Sequence, residues 1–173
     1  TVMARPAFKQ VFTKVVPQPV ERSTFVLFAS LCLATVFWQW MPLPELVWNV
    51  QQPMARSFLW GLFGVGWLIV LLATFMINHF ELFGMQQVVL HFIGRQRGPE
   101  AFTTRGLYKY IRHPIMLGFL IAFWATPQMS QGHLLFAVVT TGYILFGITM
   151  EERDLLRAHP ETYNKYRQEV SML

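Results

Sequence analysis

The sequence predicts an all-α fold, a polytopic bundle of transmembrane helices, and three observations carry that prediction. Hydrophobic residues make up 54% of the chain against 13% charged, more apolar surface than a soluble domain of 173 residues can hide. Three stretches, residues 24–41, 57–77 and 133–150, contain no Asp, Glu, Lys or Arg, and each is long enough to cross a hydrocarbon core about 30 Å thick. The basic residues, in turn, all fall outside these stretches, and all but Arg56 on alternate connections.

Taken in order, the first stretch ends at Pro42 and Pro44, which cannot continue a helix. The second runs to Ile77 without interruption. Residues 115–126 are apolar too, but as a helix they rise only roughly 18 Å, so they read as half of a helical hairpin and not as an independent span. Pro114 precedes them where a helix tolerates proline best, at its first turn, while Pro127 and Gly132 bracket the hairpin turn. The last span begins near His133 and is expected to run past the membrane, because residues 151–158 keep good helix formers and meet Pro160 only afterwards. A short amphipathic piece, residues 161–170, follows. With no internal repeat and no low-complexity tract, residues 1–173 read as one transmembrane domain.

Of fourteen Lys and Arg residues, thirteen lie before residue 24, between 78 and 113, or after 150; Arg56 alone lies elsewhere. Cytoplasmic loops concentrate basic residues, so these three segments are expected on the cytoplasmic side of the inner membrane. The formal charge of +5 then reflects topology in a lipid bilayer, and nucleic acid is not needed to explain it. Cys32 is the one cysteine and sits inside the first stretch, which excludes an intramolecular disulfide.

Polar residues that could carry chemistry gather at one end of the spans. Asn78, His79 and Glu81 close the second, Arg112 and His113 open the third, and Glu151 and Glu152 leave the fourth. Ionisable groups at a membrane edge are costly to desolvate and persist where they meet each other, water or a ligand. Glu151 and Glu152 have no basic residue three or four positions on, so they invite a cation from elsewhere, either Arg112 or a positively charged ligand. Arg112 offers a planar fork suited to a carboxylate, and His113 can exchange a proton near neutral pH. Gly64 and Gly66 lie mid-span, where glycine lets a cofactor or another helix approach the backbone. Metal-ligand spacing of Cys and His, a phosphate-cradling glycine loop and a serine elbow are all missing from the sequence, so no metal site is expected.

The run Arg112-His113-Pro114 with Gly118, then Glu151-Glu152, and Tyr163, Tyr166 and Val170 resembles the isoprenylcysteine carboxyl methyltransferase and phospholipid methyltransferase superfamily. The resemblance is closer to the branch that holds the nitric-oxide-reductase-associated membrane protein and the methanethiol S-methyltransferases. It extends over essentially the whole chain, through segments such as Phe37-Trp38-Gln39-Trp40 and Asn78-His79-Phe80-Glu81. It implies a membrane enzyme that uses S-adenosylmethionine to methylate a small volatile thiol, converting methanethiol to dimethyl sulfide. It also implies that one or more helices precede Thr1 in the complete protein.

On that resemblance, Arg112, His113, Pro114, Gly118, Glu151 and Glu152 surround the cofactor, with Gly64 and Gly66 matching loosely a glycine pair of the phospholipid methyltransferases. Arg112 would hold the cofactor carboxylate and the two glutamates its ammonium or ribose hydroxyls. Phe80, Phe83 and Met116 would form an apolar wall for the substrate, and His79 and His113 are the candidate bases for making the thiolate. Met116 stands where the superfamily often has tyrosine, and His159-Pro160 where Phe-Gly often follows the glutamates, which counts against prenyl-protein carboxyl methylation. Two rival readings remain: a membrane NADPH-dependent reductase of sterol-reductase-like architecture, and a non-enzymatic membrane partner in nitrogen-oxide metabolism.

Overall fold

The computed structural model describes residues 17–76, 89, 92–93 and 106–173. The chain divides into two compact units, Thr1–Met41 with Ile77–Phe102, and Pro42–Met76 with Thr103–Leu173. In the first unit, helix α1 (Gln18–Gln39) has Pro19 in its first turn. Two of its hydroxyls return to the helix itself, Thr24 to the Val20 carbonyl and Thr35 to the Leu31 carbonyl, each at 2.8 Å.

The second unit holds β1 (Leu46–Asn49), α2 (Pro53–Met76), a 3-10 turn (Gly106–Lys109), α3 (Pro114–Trp124), β2 (Gln128–Ser130), α4 (Gln131–Ala158) and α5 (Pro160–Glu169). Helices α2 and α4, of 24 and 28 residues, carry stretches of mean hydropathy 2.1 and 1.7. Only 11% and 17% of those stretches are buried inside the protein, whereas the core helix of a soluble protein is mostly covered. Phe58, Leu68, Leu71, Phe75, Val139 and Phe146 face outward, an apolar surface suited to lipid. The architecture is an all-α, polytopic membrane fold.

Helices α2 and α3 pack tightly because two glycines meet. A Cβ on Gly66 would stand 2.7 Å from the Ala122 nitrogen and 2.8 Å from the Gly118 oxygen, and one on Gly118 would stand 2.7 Å from the Gly66 oxygen. Backbone approaches backbone, as small residues permit between membrane helices. Trp67 stands edge-on to Phe119, and Phe119 stacks with Phe123, lengthening the seam.

Helix α3 is as short as expected, 11 residues, rising roughly 16 Å. What the helical reading did not contain is the pair of strands beside it. After Trp124 the chain runs extended and antiparallel to β1, with Leu46 opposite Ser130 and Asn49 opposite Gln128. Ala125, Thr126, Pro127 and Met129 are buried. Their backbone groups find partners in the protein, the Thr126 carbonyl from Trp48 Nε1 at 3.1 Å and the Pro127 carbonyl from the Val50 N–H at 2.8 Å. A membrane protein tolerates non-helical backbone where protein covers it in this way.

Helix α4 starts at Gln131, two residues earlier than His133, because the Ser130 hydroxyl accepts from the His133 N–H at 3.2 Å and caps it. It continues past the apolar stretch to Ala158, and after His159 the chain enters α5. At the other end of α2, Gly106 has φ of 58° and lies against Met76, a position where a side chain would meet the Met76 sulfur. This contact joins the end of α2 to the segment that leads into α3.

Candidate functional site

Residues 106–113 lead into α3, and the chain's last residues hold 111–113 in place. Ile111 bridges Ser171 in parallel, the Arg112 N–H donates to the Ser171 carbonyl at 2.9 Å, and the His113 N–H donates to the Met172 carbonyl at 3.2 Å. Tyr166 adds a hydrogen bond from its hydroxyl to the Tyr108 carbonyl. The Arg-His pair is therefore set by backbone contacts before any side chain is considered.

Both side chains turn toward the end of α4. Arg112 Nη2 lies 3.1 Å from Glu152 Oε1, with the two side chains 8% and 10% exposed, so this is a buried ion pair and not a surface one. His113 Nε2 lies 3.4 Å from the same Oε1, and His113 Nδ1 lies 3.7 Å from Glu151 Oε2. From α5, Arg167 Nε comes within 3.6 Å of Glu152 Oε2, and the Arg167 carbonyl accepts from Arg112 Nη1 at 2.9 Å. Tyr163 is buried beside them. Its burial first, then the negative charge of Glu152, pushes its phenol up to about 12.

Taking charges out of water is expensive, and the cluster offsets that cost by assigning Glu152 a cation on each oxygen. Two features are left over. Glu151 keeps its carboxylate half-exposed. Arg112 Nε is buried with no hydrogen-bond partner among the described residues. A buried donor of this kind costs free energy unless an acceptor reaches it, so the arrangement suits a ligand that brings one.

Compared with known proteins, the chain is 54% identical over all its 173 residues to a protein of Mycobacterium tuberculosis named methanethiol S-methyltransferase, 71% of which it covers. It is 53% identical, again over its whole length, to methanethiol S-methyltransferase 1 of Bradyrhizobium diazoefficiens, covering 61% of it, and 49% identical to the methanethiol S-methyltransferase of Crocosphaera subtropica, covering 68%. The chain belongs to the methanethiol S-methyltransferase family. It spans 61% to 71% of the length of these three relatives. No family model matches it, and no solved structure does.

In this member of the methanethiol S-methyltransferase family, the structure brings Arg112, His113, Glu151 and Glu152 into one cluster, with Pro114 buried at the first turn of α3 directly beside it. The cation invited by the double glutamate is Arg112 itself, joined by Arg167. Gly66 and Gly118 face each other across the contact of α2 with α3, which assigns them a packing role there. Gly64 has open space where its side chain would be. Met116 lies in the first turn of α3 and is partly covered. His79, Phe80 and Phe83 lie outside the described residues. Sequence reasoning assigned no role to Arg167 or Tyr163, although the spacing of Tyr163, Tyr166 and Val170 had marked that helix; nothing in a run of surface-like charges distinguishes the one arginine that turns inward.

Proposed function

We propose that this protein is an integral membrane S-methyltransferase that converts methanethiol to dimethyl sulfide with S-adenosylmethionine as methyl donor, and that the cluster around Glu152 holds the donor at the cytoplasmic side. The observation that carries this reading is the identity of 49% to 54% over the whole chain with proteins named methanethiol S-methyltransferase.

The residues present fit the donor. Arg112 Nε is a buried charged donor in want of an acceptor, as an amino-acid carboxylate would supply. Glu151, half-exposed against His113, can take an ammonium or a ribose hydroxyl. When bound, S-adenosylmethionine supplies an electrophilic methyl group on a sulfonium. The chain's task is to align the thiol sulfur behind that group and keep water away; the sulfur forms its bond to carbon as the sulfonium bond breaks, and the thiol proton goes to a base. Both ring nitrogens of His113 face carboxylates, so as base it would give up one of those contacts, while His79 is the alternative base.

The test is direct. Purified protein in detergent, given methanethiol and S-adenosylmethionine, is expected to release dimethyl sulfide into the headspace, read by gas chromatography. Calorimetry is expected to find binding of S-adenosylmethionine and S-adenosylhomocysteine but none of NADPH. Binding of NADPH without methyl transfer would overturn this reading in favour of a reductase, and binding of neither would favour a non-enzymatic partner.

A further inference from the structure

Arg167 touches both members of the buried ion pair, by two different routes. Its side chain reaches the far oxygen of Glu152 at 3.6 Å, while Arg112 holds the near one at 3.1 Å. Its main-chain carbonyl meanwhile accepts from Arg112 Nη1 at 2.9 Å. The terminal torsion of a glutamate is soft, and a single cation lets the carboxylate turn about its axis. A different cation on each oxygen removes that freedom. The same two contacts take up both Nη atoms of Arg112, Nη1 on Arg167 and Nη2 on Glu152, and leave Nε as its unfilled donor.

We propose that Arg167 is a positioning residue: it fixes the Glu152 carboxylate, and through it the plane of the Arg112 guanidinium, so that Arg112 Nε and Glu151 are presented to the methyl donor. This rests on the methyl-transfer reading above. Arg167 is half-exposed, and an exposed partner contributes little to folding, so its removal should be felt in ligand binding before stability. Substitution removes the side-chain contact alone, since any residue at 167 keeps the carbonyl that Arg112 uses. Methionine is the suitable replacement because it retains an unbranched stem without charge.

The test uses the full chain in detergent with Arg167→Met, Arg167→Lys, Glu152→Gln and the double variant Arg167→Met with Glu152→Gln. Calorimetry with S-adenosylmethionine is expected to show the dissociation constant of Arg167→Met raised by about 5- to 10-fold, with kcat for dimethyl sulfide formation at saturating donor within about 2-fold of wild type. Arg167→Lys, which restores a point charge without the fork, should recover most of that loss. In the Glu152→Gln background, Arg167→Met should add less than about 2-fold, because a residue acting through Glu152 has nothing left to hold. A merely structural role would lower the melting temperature and give additive losses. An unchanged dissociation constant in Arg167→Met, or additive losses in the double variant, would overturn the assignment while leaving the methyl-transfer reading intact. Failure of the wild type to bind S-adenosylmethionine would overturn both.

Discussion

Glu152 stands where three side chains converge, Arg112 at 3.1 Å, His113 at 3.4 Å and Arg167 at 3.6 Å, in a setting almost closed to solvent. Its replacement by Gln is expected to weaken S-adenosylmethionine binding by about 1.5–3 kcal/mol, the scale of a hydrogen bond to a charged group, and Arg112→Ala should do the same. The burial adds a second consequence that an edge carboxylate would lack. Removing one partner of a buried pair strands the other charge at a cost of about 3–5 kcal/mol, of which Gln recovers part by keeping an amide oxygen, so the melting temperature should fall as well. Calorimetry and thermal melts on the same preparations check both, and undiminished affinity in Glu152→Gln and Arg112→Ala would refute the site. For His113, whose two nitrogens face Glu151 and Glu152, His113→Gln should lower turnover with donor affinity held within about 3-fold if it is the base; unchanged turnover across the pH range would remove it from the mechanism. At this scale the cluster was largely legible, since two glutamates without a helical partner announce a cation from elsewhere. Arg167 was not, because its contact depends on how α5 turns back, and no spacing rule reports that.

At the scale of the elements, the glycines separate by what surrounds them. A methyl group on Gly66 or Gly118 would press on backbone atoms at 2.7–2.8 Å, and backbone cannot yield as a flexible side chain can. Gly66→Ala and Gly118→Ala are therefore expected to destabilise by about 1–3 kcal/mol, as overpacking does. Gly64→Ala meets nothing within 4 Å and gains helix propensity, so it should be neutral or stabilising by up to about 1 kcal/mol. Melting temperatures of the three variants in one detergent decide the matter, and equal behaviour of Gly64→Ala and Gly66→Ala would contradict this packing. Hydropathy located α2, α3 and α4 well, and the short length of α3 followed directly from the brevity of the apolar stretch 115–126. It could not show how a half-length helix is completed. The extended run through Thr126 and Pro127 is covered by a strand nearly eighty residues earlier, and such pairing is written in long-range contacts that periodicity does not record.

For the molecule as a whole, orientation follows from where the charges lie relative to the two ends of α4. The Glu45 side chain accepts from Gln131 Nε2 at 2.7 Å at the start of that helix, and Glu152 lies 21 residues further along it, a rise of roughly 30 Å and so about one hydrocarbon core away. Among the described residues of this unit, Lys109, Arg112, Arg153, Arg157, Lys165 and Arg167 belong to the segments around Glu152, and Arg56 alone lies toward the Glu45 end, in the first turn of α2. Because Lys and Arg concentrate on cytoplasmic loops, we propose that the Glu152 cluster faces the cytoplasm and the pair of strands the opposite side. Because Cys32 is the chain's one cysteine, a Cys32→Ser background permits single reporters, Lys165→Cys in α5 and Glu45→Cys before β1. In intact cells a membrane-impermeant maleimide should label Glu45→Cys and spare Lys165→Cys until the membrane is opened. The reverse pattern would place the cluster outside the cell, away from the donor, and would remove both the topology and the site that depends on it.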